Sequence, residues 1–118
     1  MSLLNNLYFI DRRDQTGYTI HFDTSHPIFA GHFPGHPIVP GACLVQIAEE
    51  LAALTIGQSI RFNAIRNLKF RQPITPNQEV TFEIQPSQGK LISIQILTSN
   101  VNCASFSVSY MCVDSNLQ

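Results

Sequence analysis

The sequence predicts an α+β domain in which an antiparallel sheet curls around one long, buried helix. Three observations predict it. Residues 42–56 carry Leu44, Val45, Ile47, Ala48, Leu51, Ala52 and Leu54 with few polar positions between them, and a helix that is apolar almost all round is normally buried. The second half of the chain alternates apolar and polar residues with the period of two that marks half-buried strands. The connections between those late strands are short, which favours antiparallel pairing. With 118 residues and 44% apolar content, residues 1–118 are expected to form a single domain with a real core. No repeat, low-complexity tract or linker divides them.

The composition narrows the function classes. Charged residues make up only 13% of the chain, roughly half the usual share, so part of the exterior is expected to lie against another subunit. A net charge of −1 gives no basis for binding nucleic acid or a membrane. The residues Met1-Ser2-Leu3-Leu4-Asn5-Asn6 lack the basic start and apolar run of a secretory signal, and no apolar stretch reaches the ~20 residues of a membrane span. Cys43, Cys103 and Cys112 match no zinc spacing and read as reduced, mostly buried small hydrophobes. The expected setting is therefore cytoplasmic.

In chain order, Gly17–Asp23 alternates like a half-buried strand. A proline- and glycine-rich loop follows from His26 to Gly41, then the helix at 42–56. Residues 61–71 are a mixed run that ends at Gln72-Pro73, and Pro76-Asn77 marks a turn. Val80, Phe82 and Ile84 line one face of the next strand. Ser87-Gln88-Gly89 reads as a hairpin turn before Lys90–Thr98, where Ile92, Ile94 and Ile96 share a face. In the last strand Ala104, Phe106, Val108 and Tyr110 alternate with Ser105, Ser107 and Ser109.

The loop carries the chemistry. His32-Phe33-Pro34-Gly35-His36-Pro37-Ile38-Val39-Pro40-Gly41 places a base, two glycines and three prolines directly before the helix. Proline fixes φ and glycine permits conformations that other residues avoid, so such a segment holds one shape. It also brings the first N–H groups of a helix to the same place, where they stabilise negative charge. A base beside an oxyanion site is the minimum equipment for proton chemistry next to a carbonyl. His21, His26 and His36 lack the paired spacing of a metal site. On the helix, Gln46, Glu49 and Glu50 form one polar stripe, and 46 and 50 are neighbours at i and i+4.

Taken together, the strand, the HFPGHPIVPG segment, the buried helix and the downstream run Lys69-Phe70-Arg71-Gln72-Pro73-Ile74-Thr75-Pro76 resemble the hotdog-fold 3-hydroxyacyl-acyl carrier protein dehydratases of the FabA/FabZ type, including small dehydratases of the aryl-polyene kind. The resemblance runs from about Leu7 to about Val113. It implies a homodimer with active sites at the subunit interface. It also implies an acyl carrier protein partner that delivers a 3-hydroxyacyl thioester on phosphopantetheine, dehydration to a trans-2-enoyl thioester, and no metal or redox cofactor.

Residue by residue, the resemblance makes His32 the catalytic base, and a neutral imidazole suits proton removal near physiological pH. Gly41 supplies the N–H for the thioester carbonyl, with Phe33 and Pro40 as further substrate contacts. The family's acid falls at Gln46, whose amide cannot donate a proton in ordinary acid catalysis. Glu50, where the family usually carries glutamine, is the candidate replacement, with Gln46 orienting it or the leaving hydroxyl. Arg61, Arg66, Lys69 and Arg71 form a basic group that would suit an acidic carrier protein. Two other readings stay open: a hotdog acyl thioesterase, and an acyl-carrier-binding homologue impaired by the change at Gln46.

Overall fold

The structure, a computed structural model, describes residues 2–30 and 35–113. Among these residues are six strands and one α-helix: β1 (Tyr8–Arg13), β2 (Gly17–Phe22), α1 (Gly41–Ile56), β3 (Ile60–Phe70), β4 (Val80–Ser87), β5 (Leu91–Thr98) and β6 (Val101–Cys112). The paired strands all run antiparallel, in the order β1-β2-β4-β5-β6-β3. The expected α+β class stands.

Helix α1 fills the sheet. Leu44, Ile47, Ala48, Leu51 and Ala52 are buried on it, facing Ile20, Phe82, Ile84, Ile94, Ile96, Ala104, Phe106 and Val108 from the strands in one continuous core. Small residues at 48 and 52 let helix and sheet approach closely. Pro40 precedes the first turn with extended backbone, and Gly57 ends the helix in the left-handed conformation at φ 84°, which glycine adopts without steric cost.

The alternation read in the second half is the alternation observed. Val80, Phe82 and Ile84 are buried on β4, and Ile92, Ile94 and Ile96 on β5. On β6 the register slips opposite Ile96 and Leu97, so Cys103 and Ala104 are both buried before the alternation resumes at Phe106 and Val108. Gly89 and Lys90 take positive φ in the β4–β5 turn, as a tight hairpin requires.

Two features differ from expectation. Strand β1 was not foreseen. Its sequence opens on an apolar run and closes on Asp11, Arg12 and Arg13, and a bulge between Ile10 and Arg12 breaks the alternation. The loop from His26 also contains a 3-10 turn, Pro27–Phe29. His26 caps it by accepting the Ile28 N–H on Nδ1 at 3.1 Å. Phe29 is thereby driven into the core, edge-on to Phe22.

Candidate active site

The two sequence motifs meet at the N-terminus of α1. The Val39 N–H donates to the Ile74 carbonyl at 2.8 Å, which joins the end of the first motif to the middle of the second. Cys43 and Leu44 turn their N–H groups onto the Pro40 carbonyl at 3.0 and 3.2 Å. The Gly41 N–H has no partner among the described residues. Among the described residues no side chain caps this end and no acidic residue lies in the first turn, so none of them offsets the positive end of the helix dipole.

Gly41 also lets the Phe70 ring pack closely over the start of α1, a contact that sequence reasoning missed. A Cβ at this position would meet the Phe70 ring, with its Cζ only 2.9 Å away. Phe70 reaches that point through a bulge in β3. The register to β6 shifts between Arg66 and Lys69, and Asn67 takes φ 58°. A bulge re-aims the residues that follow it, and here it accompanies an aromatic ring laid across the start of α1.

Beside this contact opens a cleft of about 370 Å³ lined by Val39, Gly41, Leu44, Phe70, Pro73 and Ile74. A second cleft of about 480 Å³, lined by Gly35, His36, Pro37, Thr75, Pro76 and Asn77 among others, shares Ile38 and Pro73 with the first. The two therefore lie on either side of one ridge. Their sizes suit a small-molecule site. Gly35 stands at φ 88° on the second cleft, where a turn requires it. Burial pushes the Cys43 thiol pKa upward, which disfavours the thiolate that nucleophilic chemistry would need.

His32 and Phe33, the expected base and its neighbour, lie outside the described residues. Gln46 and Glu50 are both described and are brought together, with Gln46 Nε2 donating to Glu50 Oε2 at 3.0 Å. Glu50 is otherwise committed to the N-terminal segment. Its Oε2 also accepts the Leu3 N–H at 2.8 Å, and its Oε1 accepts the Leu4 N–H at 3.0 Å, the Tyr8 hydroxyl at 2.9 Å and the Ser2 hydroxyl at 3.4 Å. Burial, and then the hydrogen bond to this carboxylate, push the Tyr8 phenol pKa upward.

Glu49 Oε2 accepts the Phe62 N–H at 2.9 Å and ties α1 to β3. Pro40 sits at the helix entrance as expected.

The remaining candidates are dispersed. His21 pairs with Asp11 at 2.6 Å and stacks on Phe9, and His36 is exposed. Arg61, Arg66, Lys69 and Arg71 are all exposed, with Arg71 bonded to Asn102 and Ser105. No cluster of three metal-ligating side chains occurs among the described residues. No helix among them is long and apolar enough to cross a membrane.

Known proteins share both sequence and fold with this chain. The FabZ 3-hydroxyacyl-acyl-carrier-protein dehydratase of Geotalea uraniireducens is 39% identical over 70 residues, which are 52% of this chain and 48% of that protein. The chain thus spans about half the length of the curated relatives it matches. The dehydratase heterocomplex ApeI:P from Xenorhabdus doucetiae superposes with a TM-score of 0.75 at 20% identity, covering 89% of this chain and 97% of that one. The hexameric thioesterase y2039 of Yersinia pestis superposes with a TM-score of 0.53 at 14% identity, covering 66% and 73%. The hotdog fold is therefore shared by proteins of different activity, and the fold alone does not choose between them. The family model described as ApeI-like, ApeI dehydratase, matches residues 10–107. The chain belongs to the ApeI-like dehydratase family.

Proposed function

We propose that this protein dehydrates 3-hydroxyacyl thioesters, delivered on the phosphopantetheine arm of acyl carrier protein, to trans-2-enoyl thioesters. One observation carries the reading: the Gly41 N–H, without a partner among the described residues at the start of a buried helix, lies on a cleft of about 370 Å³ nine residues after His32.

The chemistry follows from those parts. His32 takes the proton from the carbon next to the thioester carbonyl. Charge moves onto the carbonyl oxygen, where the Gly41 N–H and the helix dipole stabilise it; one such preorganised donor is typically worth ~3 kcal/mol of barrier. The His32 imidazolium returns the proton to the hydroxyl oxygen as its bond to carbon 3 breaks, the double bond forms, and one water leaves. The Gln46–Glu50 pair stands on the same helix to assist that departure. The exposed Arg66 and Lys69, on the strand that leads to Phe70, suit the approach of an acidic carrier. The working form is a homodimer.

Incubation with 3-hydroxybutyryl and crotonyl thioesters tests the reading. Interconversion of the two is expected, and His32→Ala should reduce it by about 10²–10⁴-fold. Release of free thiol without hydration would replace the dehydratase by a thioesterase. Carrier binding with no turnover would leave a binding protein.

A further inference from the structure

Resting on the dehydratase reading, we infer that Glu50 is a positioning residue whose carboxylate turns the Gln46 amide so that its carbonyl oxygen receives the substrate's hydroxyl.

A carboxylate accepts hydrogen bonds, whereas a primary amide has a donating and an accepting end. Only the nitrogen end of Gln46 can therefore face Glu50, and the 3.0 Å bond from Nε2 to Oε2 fixes the orientation of the planar group. Its Oε1 is turned the other way and has no partner among the described residues. Glu50 itself cannot swing to follow a substrate. Leu3 and Leu4 main-chain N–H groups, 2.8 and 3.0 Å away, and the Tyr8 hydroxyl at 2.9 Å hold both its oxygens. Every one of these contacts is a donor aimed at a carboxylate, which makes Glu50 an acceptor and an anchor in this arrangement.

Gln46 then binds the substrate's hydroxyl as an acceptor of its hydrogen, which fixes the direction of the carbon–oxygen bond that breaks. The proton balance closes on His32. The imidazole removes the proton from carbon 2 and, as imidazolium, returns it to the departing oxygen. One C–H and one C–O bond break, one C=C bond forms, and one water leaves, with no second acid required.

A double-mutant cycle on Gln46→Ala and Glu50→Gln tests this. Each single change should lower kcat on the order of tenfold to a hundredfold, as misplacement of a reacting group does, with KM little altered. If Glu50 acts only through Gln46, adding Glu50→Gln to Gln46→Ala brings no further loss. If Glu50 is itself the acid, Glu50→Gln abolishes turnover in either background, which overturns the inference.

A spectroscopic readout is independent of activity. The Gln46 side-chain amide resonances in a ¹⁵N–¹H spectrum should shift in Glu50→Gln while the rest of the spectrum keeps its folded dispersion. Unmoved resonances would also overturn it. Wild-type protein without turnover would sink the dehydratase reading and, with it, the role of Gln46 at the hydroxyl, and the amide spectrum would still decide the pairing.

Discussion

At the scale of single residues, Glu50 shows how one side chain serves two structures. It sits on α1, yet four of its five hydrogen-bond donors come from residues 2–8. Hydrogen bonds to a charged group contribute about 1.5–3 kcal/mol each, and a buried donor left without its partner costs a further desolvation penalty. Glu50→Ala strands two main-chain N–H groups and the Tyr8 hydroxyl at once, so a loss of about 2–4 kcal/mol is expected. Tyr8→Phe removes one contact together with its own polar atom and should cost about 1–2 kcal/mol. Urea denaturation checks both, and equal losses for the two variants would show that the Leu3 and Leu4 contacts contribute nothing. None of this was legible in the sequence. Main-chain donors 46 and 47 positions away leave no pattern, whereas the HFPGHPIVPG segment announced Gly41 through residue types that only a special backbone needs.

At the scale of elements, the same contrast recurs. The period of two located β4, β5 and β6 because each has one face on the core. It failed for β1, whose burial runs from one end to the other instead of alternating. It also could not show that β3 leaves its sequence neighbours to pair with β6 at the sheet edge, since strand order depends on contacts far apart in the chain.

The turn between β1 and β2 has a local device of its own. Asp14 Oδ1 accepts the Thr16 N–H at 2.9 Å, the Thr16 hydroxyl at 3.0 Å and the Gly17 N–H at 3.0 Å. The Thr16 main-chain bond, then the other two, hold its carboxyl below the usual value of 3.8. A group whose pKa is lowered by folding stabilises the fold above its unfolded value and loses that contribution as pH falls through the folded one. Asp14→Asn should therefore lower the melting temperature at neutral pH, with the gap to wild type narrowing below pH ~4. A gap that stays constant across that range would remove the charge from the explanation.

For the whole molecule, low charge and an open sheet edge point the same way. β3 is eleven residues long and, among the described residues, has a partner on one side only. Among the described residues, five of the eight large apolar side chains left exposed lie on β3 or beside it at the end of β6: Ile65, Leu68, Phe70, Met111 and Val113. An unpaired edge that carries exposed apolar side chains between its charges is a template for another strand, and a symmetric dimer is the commonest closed way to cover one. Pairing β3 with its own copy would also place a second subunit next to Phe70, at the mouth of the cleft over Gly41, which would couple assembly to the site. Ile65 is the midpoint of the strand, and a charge there meets the partner strand in every register close to symmetric. Ile65→Glu should convert a dimer into a monomer in sedimentation equilibrium while α1 and the core keep their fold, and turnover should fall with the dimer fraction as protein is diluted. A wild-type protein that sediments as a monomer while turning over substrate would mean that the cleft over Gly41 is complete within one chain.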